Sequence, residues 1–395
     1  MQLSRRIEGI TEGGSDGWDL FHRARAMQAA GQSVLDLTVG EHDRPTPRPI
    51  LDAMHAAATA GHTGYTVAPG LPALRTAVAE RVEARTGVPT RAENVLITAG
   101  GQAALFAAQM AVLDPGDRAL HLDPYYATYP GTIRAAGGVP VTVPTRPEDG
   151  FQPRAPDVEA AAEGARTLLI NTPNNPTGAV YDRATLEGLA ELCRRRGLWL
   201  ISDEVYDTQV WEGVHLSPRA LPGMSERTLV AGSLSKSHAM TGSRLGWIVG
   251  PEAAIARMAD LATVTTYGLP GFIQDAGLVA LSDPALEAEI AAPFRRRRDL
   301  ARRVLAGRPG LRLLPAQGAM YAMLDIRPTG MSGTVFAEAL LDAHRIAAMP
   351  GESFGAAAAG HLRVALTLDD ARLAEALEAL ATFAALTAAR AGASA

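Results

Sequence analysis

Lysine is almost missing from this chain. Of 37 basic side chains in 395 residues, 36 are arginine, and the single lysine is Lys236. Codon bias accounts for the scarcity but not for the surroundings. Lys236 stands in SLSKSHAMTGSRLGW (233–247), flanked by Ser233, Ser235, Ser237, Thr241 and Ser243, a run poor in helix formers and long side chains. Arginine carries charge as well as lysine and forks better onto planar anions. What arginine does not do at ordinary pH is lose its proton and attack a carbonyl carbon. Lysine does so once desolvation or a neighbouring cation lowers its pKa, so the lone lysine is a candidate nucleophile.

Cysteine is equally scarce. With Cys193 alone, an intrachain disulfide and a multi-cysteine metal site are both excluded, and no metal is expected. Its place on the spacing Leu186, Leu189, Cys193 marks it as buried filler. Strong charge of either sign is also absent. A net charge of −5 and a pI of about 6.0 offer nothing to nucleic acid or to a membrane surface. The start, MQLSRRIEGITEGG, has no apolar stretch that could serve as a secretory signal. No window reaches the roughly 18 uninterrupted apolar residues of a spanning helix. A cytoplasmic location is expected. The arginine runs 194–196 and 295–298 are expected on solvated helix faces.

What is present is an alternation. TLLIN (167–171), LWLIS (198–202), TLVAG (228–232) and GWIVG (246–250) read as buried strands, apolar on both faces. Between the first two lies YDRATLEGLAELCRRRG, a helix with Asp182 as N-cap and Gly197 as stop. LPALRTAVAERVEARTG (71–87) repeats the design, with Leu74, Val78 and Val82 four apart and Gly87 ending it. The pattern predicts an α/β fold with a mostly parallel sheet between helices. After about residue 285 it changes to long Ala/Leu/Arg helices with strand-like segments near 319–325 and 362–367. Residues 48–285 are therefore expected to form a large domain, and 1–47 with 286–395 a smaller α/β domain. GAAAAG (355–360) is expected to be flexible or loosely helical, and the terminal AGASA to fray.

In a parallel sheet, functional groups gather at the carboxyl edge. Asp203 follows LWLIS directly, Lys236 follows TLVAG by a few residues, and Asn171 and Asn175 follow TLLIN in NTPNNPTG. One edge thus receives an acid, a nucleophile and amides. TAGGQAALFAAQM places Gly100 and Gly101 at the start of a helix, where exposed N–H groups favour a phosphate. Arg244, eight residues beyond Lys236, offers the same phosphate a cation. Lysine, carboxylate and phosphate site together describe what pyridoxal phosphate (PLP) requires: an amine for its aldehyde, an acid for its ring nitrogen and anchors for its phosphate.

These motifs, in this order and spacing, resemble the class I/II aminotransferases, PLP enzymes of fold type I, over positions from Gly40 to Arg363. The resemblance implies Lys236 as the Schiff-base residue, Asp203 on the pyridine nitrogen, and Asn175 and Tyr206 on the ring's phenolic oxygen. It implies Gly101, Gln102, Ser233 and Arg244 on the phosphate, and Tyr126 of DPYYATYPG stacked on the ring. Tyr65 of GYTVAPGLPALR would reach the phosphate of a neighbouring subunit in a homodimer with shared sites. Arg363 of GHLRVALT and the main chain of Gly40 would hold the substrate α-carboxylate. The implied reaction is a ping-pong transfer of an amino group from an amino acid to a 2-oxo acid.

The chain also departs from the family. Where many relatives carry Gly-Glu-Pro-Asp and an aromatic, it reads GEHDRPTP, and His42 is expected to be a surface loop residue. TTYGLPGFIQD (265–275) has no arginine where dicarboxylate-specific relatives often place one. A neutral or aromatic donor is therefore expected over a dicarboxylic one. The same scaffold hosts PLP-dependent C–S β-lyases, an alternative the cofactor motifs do not separate. A PLP-binding regulator would need a DNA-binding module, for which the 38 residues before the first family motif leave no room.

Overall fold

The computed structural model describes residues 2–11 and 18–393. Among these, twelve strands form two sheets. In chain order they are β1 (Leu35–Leu37), β2 (Val95–Thr98), β3 (Arg118–Asp123), β4 (Val139–Pro144), β5 (Ala165–Asn171), β6 (Trp199–Asp203), β7 (Thr228–Ser233), β8 (Gly246–Val249), β9 (Arg312–Leu313), β10 (Tyr321–Asp325), β11 (Ile346–Pro350) and β12 (His361–Ala365). The larger sheet has the order β2-β8-β7-β6-β5-β3-β4, and the smaller β1-β11-β12-β10-β9.

The apolar runs become β5 to β8, and their side chains are buried on both faces, as helices covering both sides of the sheet require. Helix Arg183–Arg196 starts on Asp182, whose carboxylate accepts from the Thr185 N–H at 2.7 Å, and stops at Gly197 with φ of +68°. Helix Pro72–Thr86 stops at Gly87 with φ of +70°. Cys193 is buried.

One strand makes the larger sheet mixed, as a mostly parallel sheet allows. β8 is antiparallel to both neighbours, β2 and β7. A parallel return needs a crossover of a dozen or more residues, usually with a helix. The twelve residues between β7 and β8 are at the lower limit and hold only the four-residue helix Leu234–Ser237 and a 3₁₀ turn, Thr241–Ser243, with no crossover helix to carry the chain back along the sheet, so β8 returns antiparallel. Lys236 sits in that tight return.

The smaller sheet takes β1 from near the start of the chain and the rest from its last third. β10 lies within one expected segment and β12 overlaps the other, starting one residue earlier, whereas β1, β9 and β11 were not anticipated. β1 and β9 are three and two residues long, and β11 reads IAAMP, whose alanines carry little strand preference.

Residues 355–360 take the loosely helical of the two expected forms: Ala356–Ala358 is a 3₁₀ turn, Ala358 is buried, and the Ala357 N–H donates to the Asp123 carboxylate. Two other local expectations are corrected. The last helix, Asp370–Ala393, runs through most of AGASA, whose final two residues lie outside the described set. The run 295–298 is a solvated face only in its first half. Arg295 and Arg296 are exposed, whereas Arg297 and Arg298 are buried; Arg297 donates to Asp43 and Asp370 and Arg298 to Glu212, so carboxylates distant in the chain draw these two cations inward. Arg194–Arg196 does lie at the surface, paired with Glu159 and Glu191. No helix among the described residues is long and apolar enough to cross a membrane.

Candidate active site

A cavity of about 300 Å³ opens at the carboxyl edge of β5, β6 and β7, and residues of the smaller sheet close its other side. Asn171 and Asp203 end β5 and β6, Ser233 ends β7, and Lys236 follows in the short helix. Gly101 and Gln102 line it from the first turn of helix Gly100–Val112, and Arg244 from the turn before β8. Gly40 enters from the segment after β1, Tyr321 from β10 and Arg363 from β12. The fold therefore brings together eleven of the twelve residues singled out in the sequence.

Tyr65 is the exception. Its side chain is 92% exposed, meets only the ring edge of Tyr267 at 5.3 Å, and lies outside the cavity of its own chain. His42 departs in the other direction. Rather than lying at the surface, its ring packs edge-on against Phe294 at 5.2 Å, and Nε2 is buried without a partner. Burial, then the nearby Lys236 charge, lowers its pKa to about 4.

Electrostatics divide the cavity into three parts. At its floor is Asp203, with one oxygen accepting from the Tyr129 hydroxyl at 2.7 Å and the other from the Val205 N–H at 3.3 Å. Burial raises its pKa to about 6 while these donors oppose the rise, so the carboxylate is charged at neutral pH. Asn171 ties the strand ends together, donating to the Asp203 carbonyl at 2.9 Å and accepting from the Asn175 N–H at 2.7 Å.

At one end are the makings of an anion site. Helix Gly100–Val112 begins on Ala99 with no side-chain cap, leaving its first N–H groups available. Arg244 lies beside it, in a left-handed turn with φ of +51°, its guanidinium held by the Thr241 carbonyl at 2.8 Å and the Ala99 carbonyl at 3.3 Å. Glycine makes this close approach feasible. A Cβ on Gly246 would fall 2.7 Å from the Gly100 carbonyl carbon and 2.9 Å from the Gly101 nitrogen. Ser233 Oγ accepts from the Ser235 N–H at 3.0 Å.

At the other end is Arg363, 1% exposed, with no carboxylate partner among the described residues. Its Nη1 donates to Asn175 Oδ1 at 3.0 Å, Nη2 donates to the Thr38 carbonyl, and Nε is buried with no acceptor. Phe354 and Tyr321 lie 4.4 and 4.5 Å from the guanidinium carbon, on which cation–π attraction acts in place of water. A buried guanidinium with an open donor is made for an arriving anion. Lys236 stands between the two ends, its amine donating to the Gly40 carbonyl.

These features fit the requirements of PLP: a single primary amine, a buried carboxylate for the ring nitrogen, an uncapped helix start with an arginine for the phosphate, and Tyr126 and Tyr206 along the walls. Sequence reasoning missed Trp18, Tyr129 and Tyr321. Tyr321 Oη is 3.0 Å from Tyr206 Oη, and Trp18 lies 6.0 Å from the Arg363 guanidinium. Tyr129 had a signal: it stands three residues after Tyr126, in the same DPYYATYPG.

The family profile described as Aminotransferase class I and II matches residues 32–380. An arginine–pyruvate transaminase of Pseudomonas aeruginosa is 45% identical over 387 residues, 98% of each chain. An aspartate/prephenate aminotransferase of Thermus thermophilus is 37% identical over 96% of this chain and 98% of its own. Among solved structures, the Thermus thermophilus aspartate aminotransferase with maleate superposes with a TM-score of 0.91 at 36% identity, covering 97% of this chain and all of that one. The Pyrococcus horikoshii aromatic aminotransferase does so with a TM-score of 0.86 at 33% identity, covering 91% and 98%. A family that uses PLP explains why one amine, one buried acid and a buried guanidinium with an open donor share a cavity, and the chain belongs to the class I and II aminotransferases.

Proposed function

We propose that this aminotransferase takes its amino group from a non-dicarboxylic donor, with arginine the leading candidate and pyruvate the acceptor. The observation that carries the reading is the 45% identity to an arginine–pyruvate transaminase over nearly the whole of both chains. The cavity supports it. Among the described residues of the chain its basic side chains are Lys236, Arg244 and Arg363, and each already has a task. Glu41, on the same wall, has the sign that suits a guanidinium.

The roles proposed for the chain follow from charge and position. Arg363 binds the donor's α-carboxylate with its open N–H groups, and the Gly40 main chain meets the same group. Trp18, Tyr321 and Phe354 exclude water around that pair, which strengthens it. When bound, PLP supplies an aldehyde for the donor's amine and a ring that spreads negative charge from Cα. Lys236 would take the Cα proton and return it as general base and acid. Asp203 would hold positive charge on the ring nitrogen. Asn175 and Tyr206 would hold the ring oxygen, Tyr126 would cover the ring, and Gly101, Gln102, Ser233 and Arg244 would hold the phosphate.

Three further parts belong to this proposal. The enzyme is a homodimer in which Tyr65 serves the partner's site. Residues 48–285 form the large domain, and 1–47 with 286–395 the smaller, a division supported by the strands each sheet draws on. Its location is the cytoplasm.

The test is a donor panel with pyruvate, read as alanine formed. Arginine should exceed aspartate and glutamate by at least tenfold in kcat/KM. A dicarboxylic donor that outperforms arginine would refute the assignment.

A further inference from the structure

The buried carboxylate at the floor of the cavity has a partner that the family motifs do not name. Tyr129 leaves the first turn of helix Tyr129–Ala135 and is 3% exposed. Its hydroxyl donates to Asp203 Oδ2 at 2.7 Å, while Oδ1 accepts from the Val205 N–H at 3.3 Å. We propose that Tyr129 is a positioning residue for Asp203: its hydroxyl fixes the plane of the carboxylate and keeps it ionised, so that a charged oxygen meets the coenzyme's ring nitrogen. The inference rests on the reading of Asp203 as that ring partner.

The surroundings show why such a donor is needed. Asp203 is faced by Tyr126 from the loop before this helix, by Tyr206 and Glu204 from the loop after β6, and by Asn171 at the end of β5. No cation in this set offsets the charge. Glu204 repels it, and the Glu204 carboxylate accepts from the Ser202 and Ser217 hydroxyls and lies 3.0 Å from His215 Nε2. Burial drives the Asp203 carboxyl toward its neutral form, and the Tyr129 hydroxyl is the first force opposing that. A hydroxyl donating to an anion gives a stronger hydrogen bond than one between neutral groups. Tyr129 cannot return the favour by ionising, because burial and the neighbouring Asp203 charge raise its own pKa well above the ordinary value. The proton therefore stays on the tyrosine and the charge on the aspartate.

Tyr129→Phe removes only the oxygen and keeps the ring that meets Tyr126 edge-on at 5.9 Å. The first measurement needs no coenzyme. Infrared difference spectra of apoprotein against Asp203→Asn isolate the Asp203 carboxyl and follow it with pH. In Tyr129→Phe the titration midpoint should rise by about one pH unit, a tenfold change in acidity. A midpoint that does not move overturns the proposal.

The second measurement is the dissociation constant of PLP at about pH 8. Tyr129→Phe should weaken binding about tenfold in the native background and less than twofold when Asp203 is already asparagine, because the hydroxyl acts only through the carboxylate. Equal losses in both backgrounds would show that the hydroxyl merely supports packing and would sink the idea. Should Asp203→Asn alone leave PLP affinity untouched, the reading of Asp203 as ring partner fails, while the apoprotein titration still decides the part played by Tyr129.

Discussion

Arg363 is buried beside three aromatic rings with one nitrogen lacking an acceptor. Removing a charge that meets a buried counter-ion costs about 2–5 kcal/mol, so Arg363→Ala should lower kcat/KM by roughly thirtyfold or more, mostly through KM. Steady-state kinetics over a range of donor concentrations check this. His42 makes a pH prediction. Burial first, then the Lys236 charge, holds its folded pKa at about 4, below the unfolded value near 6.5. A depressed imidazole stabilises the fold above the unfolded value, and that contribution fades as pH falls through 6.5 toward 4. His42→Gln should therefore flatten the loss of melting temperature between about pH 7 and about pH 5, measured by calorimetry. At this scale the sequence was legible where chemistry is rare. Lys236 stood out because no other residue shares its type, and Asp203, Asn175 and Arg244 because their motifs have fixed spacing. Trp18, Tyr129 and Tyr321 did not, because a tyrosine or tryptophan serves a core as well as a site. Their roles depend on which neighbour a hydroxyl or ring meets after folding. His42 was misjudged for the same reason, since Phe294 lies 252 positions away in the chain.

Among the elements, the abrupt return from β7 to β8 positions both Lys236 and Arg244. It works because Gly246 lets β8 pass against the start of helix Gly100–Val112. A methyl group there would meet backbone of Gly100, Gly101 and Gly232 at 2.7 to 2.9 Å. Gly246→Ala should cost about 1–3 kcal/mol in urea unfolding as an overpacking change. It should also weaken PLP binding, since the helix start and Arg244 would be pushed apart. Helix ends such as Asp182, Gly87 and Gly197 could be read directly because a cap is a local interaction. The direction of β8 could not, since an apolar run looks the same either way along a sheet. β1, β9 and β11 escaped notice because two to five residues of ordinary composition acquire strand geometry only from the partners they join. The run at 295–298 shows the same limit: Asp43 and Glu212, each far away in the chain, decide which of its arginines turn inward.

For the molecule as a whole, Tyr65, Val67, Val264 and Tyr267 leave a group of large apolar side chains exposed, which suits a contact with a second copy. If Tyr65 serves the partner's cavity, mixing Lys236→Ala chains with Tyr65→Ala chains creates dimers with one doubly altered site and one intact site. Activity should then recover to about one quarter of native, as expected for a two-fold dimer with statistical exchange. No recovery would refute a role for Tyr65 in the partner's site. The division into two sheets was legible in outline, from the change of pattern after residue 285, although the arrangement of strands within the smaller sheet was not. The scarcity of lysine has a practical outcome. Apart from the terminal α-amine, an acylating dye finds a single side-chain target on the polypeptide, and that target lines the catalytic cleft. Dye incorporated per chain thus becomes a gauge of vacant sites, and shielding by bound coenzyme gives occupancy without any turnover assay.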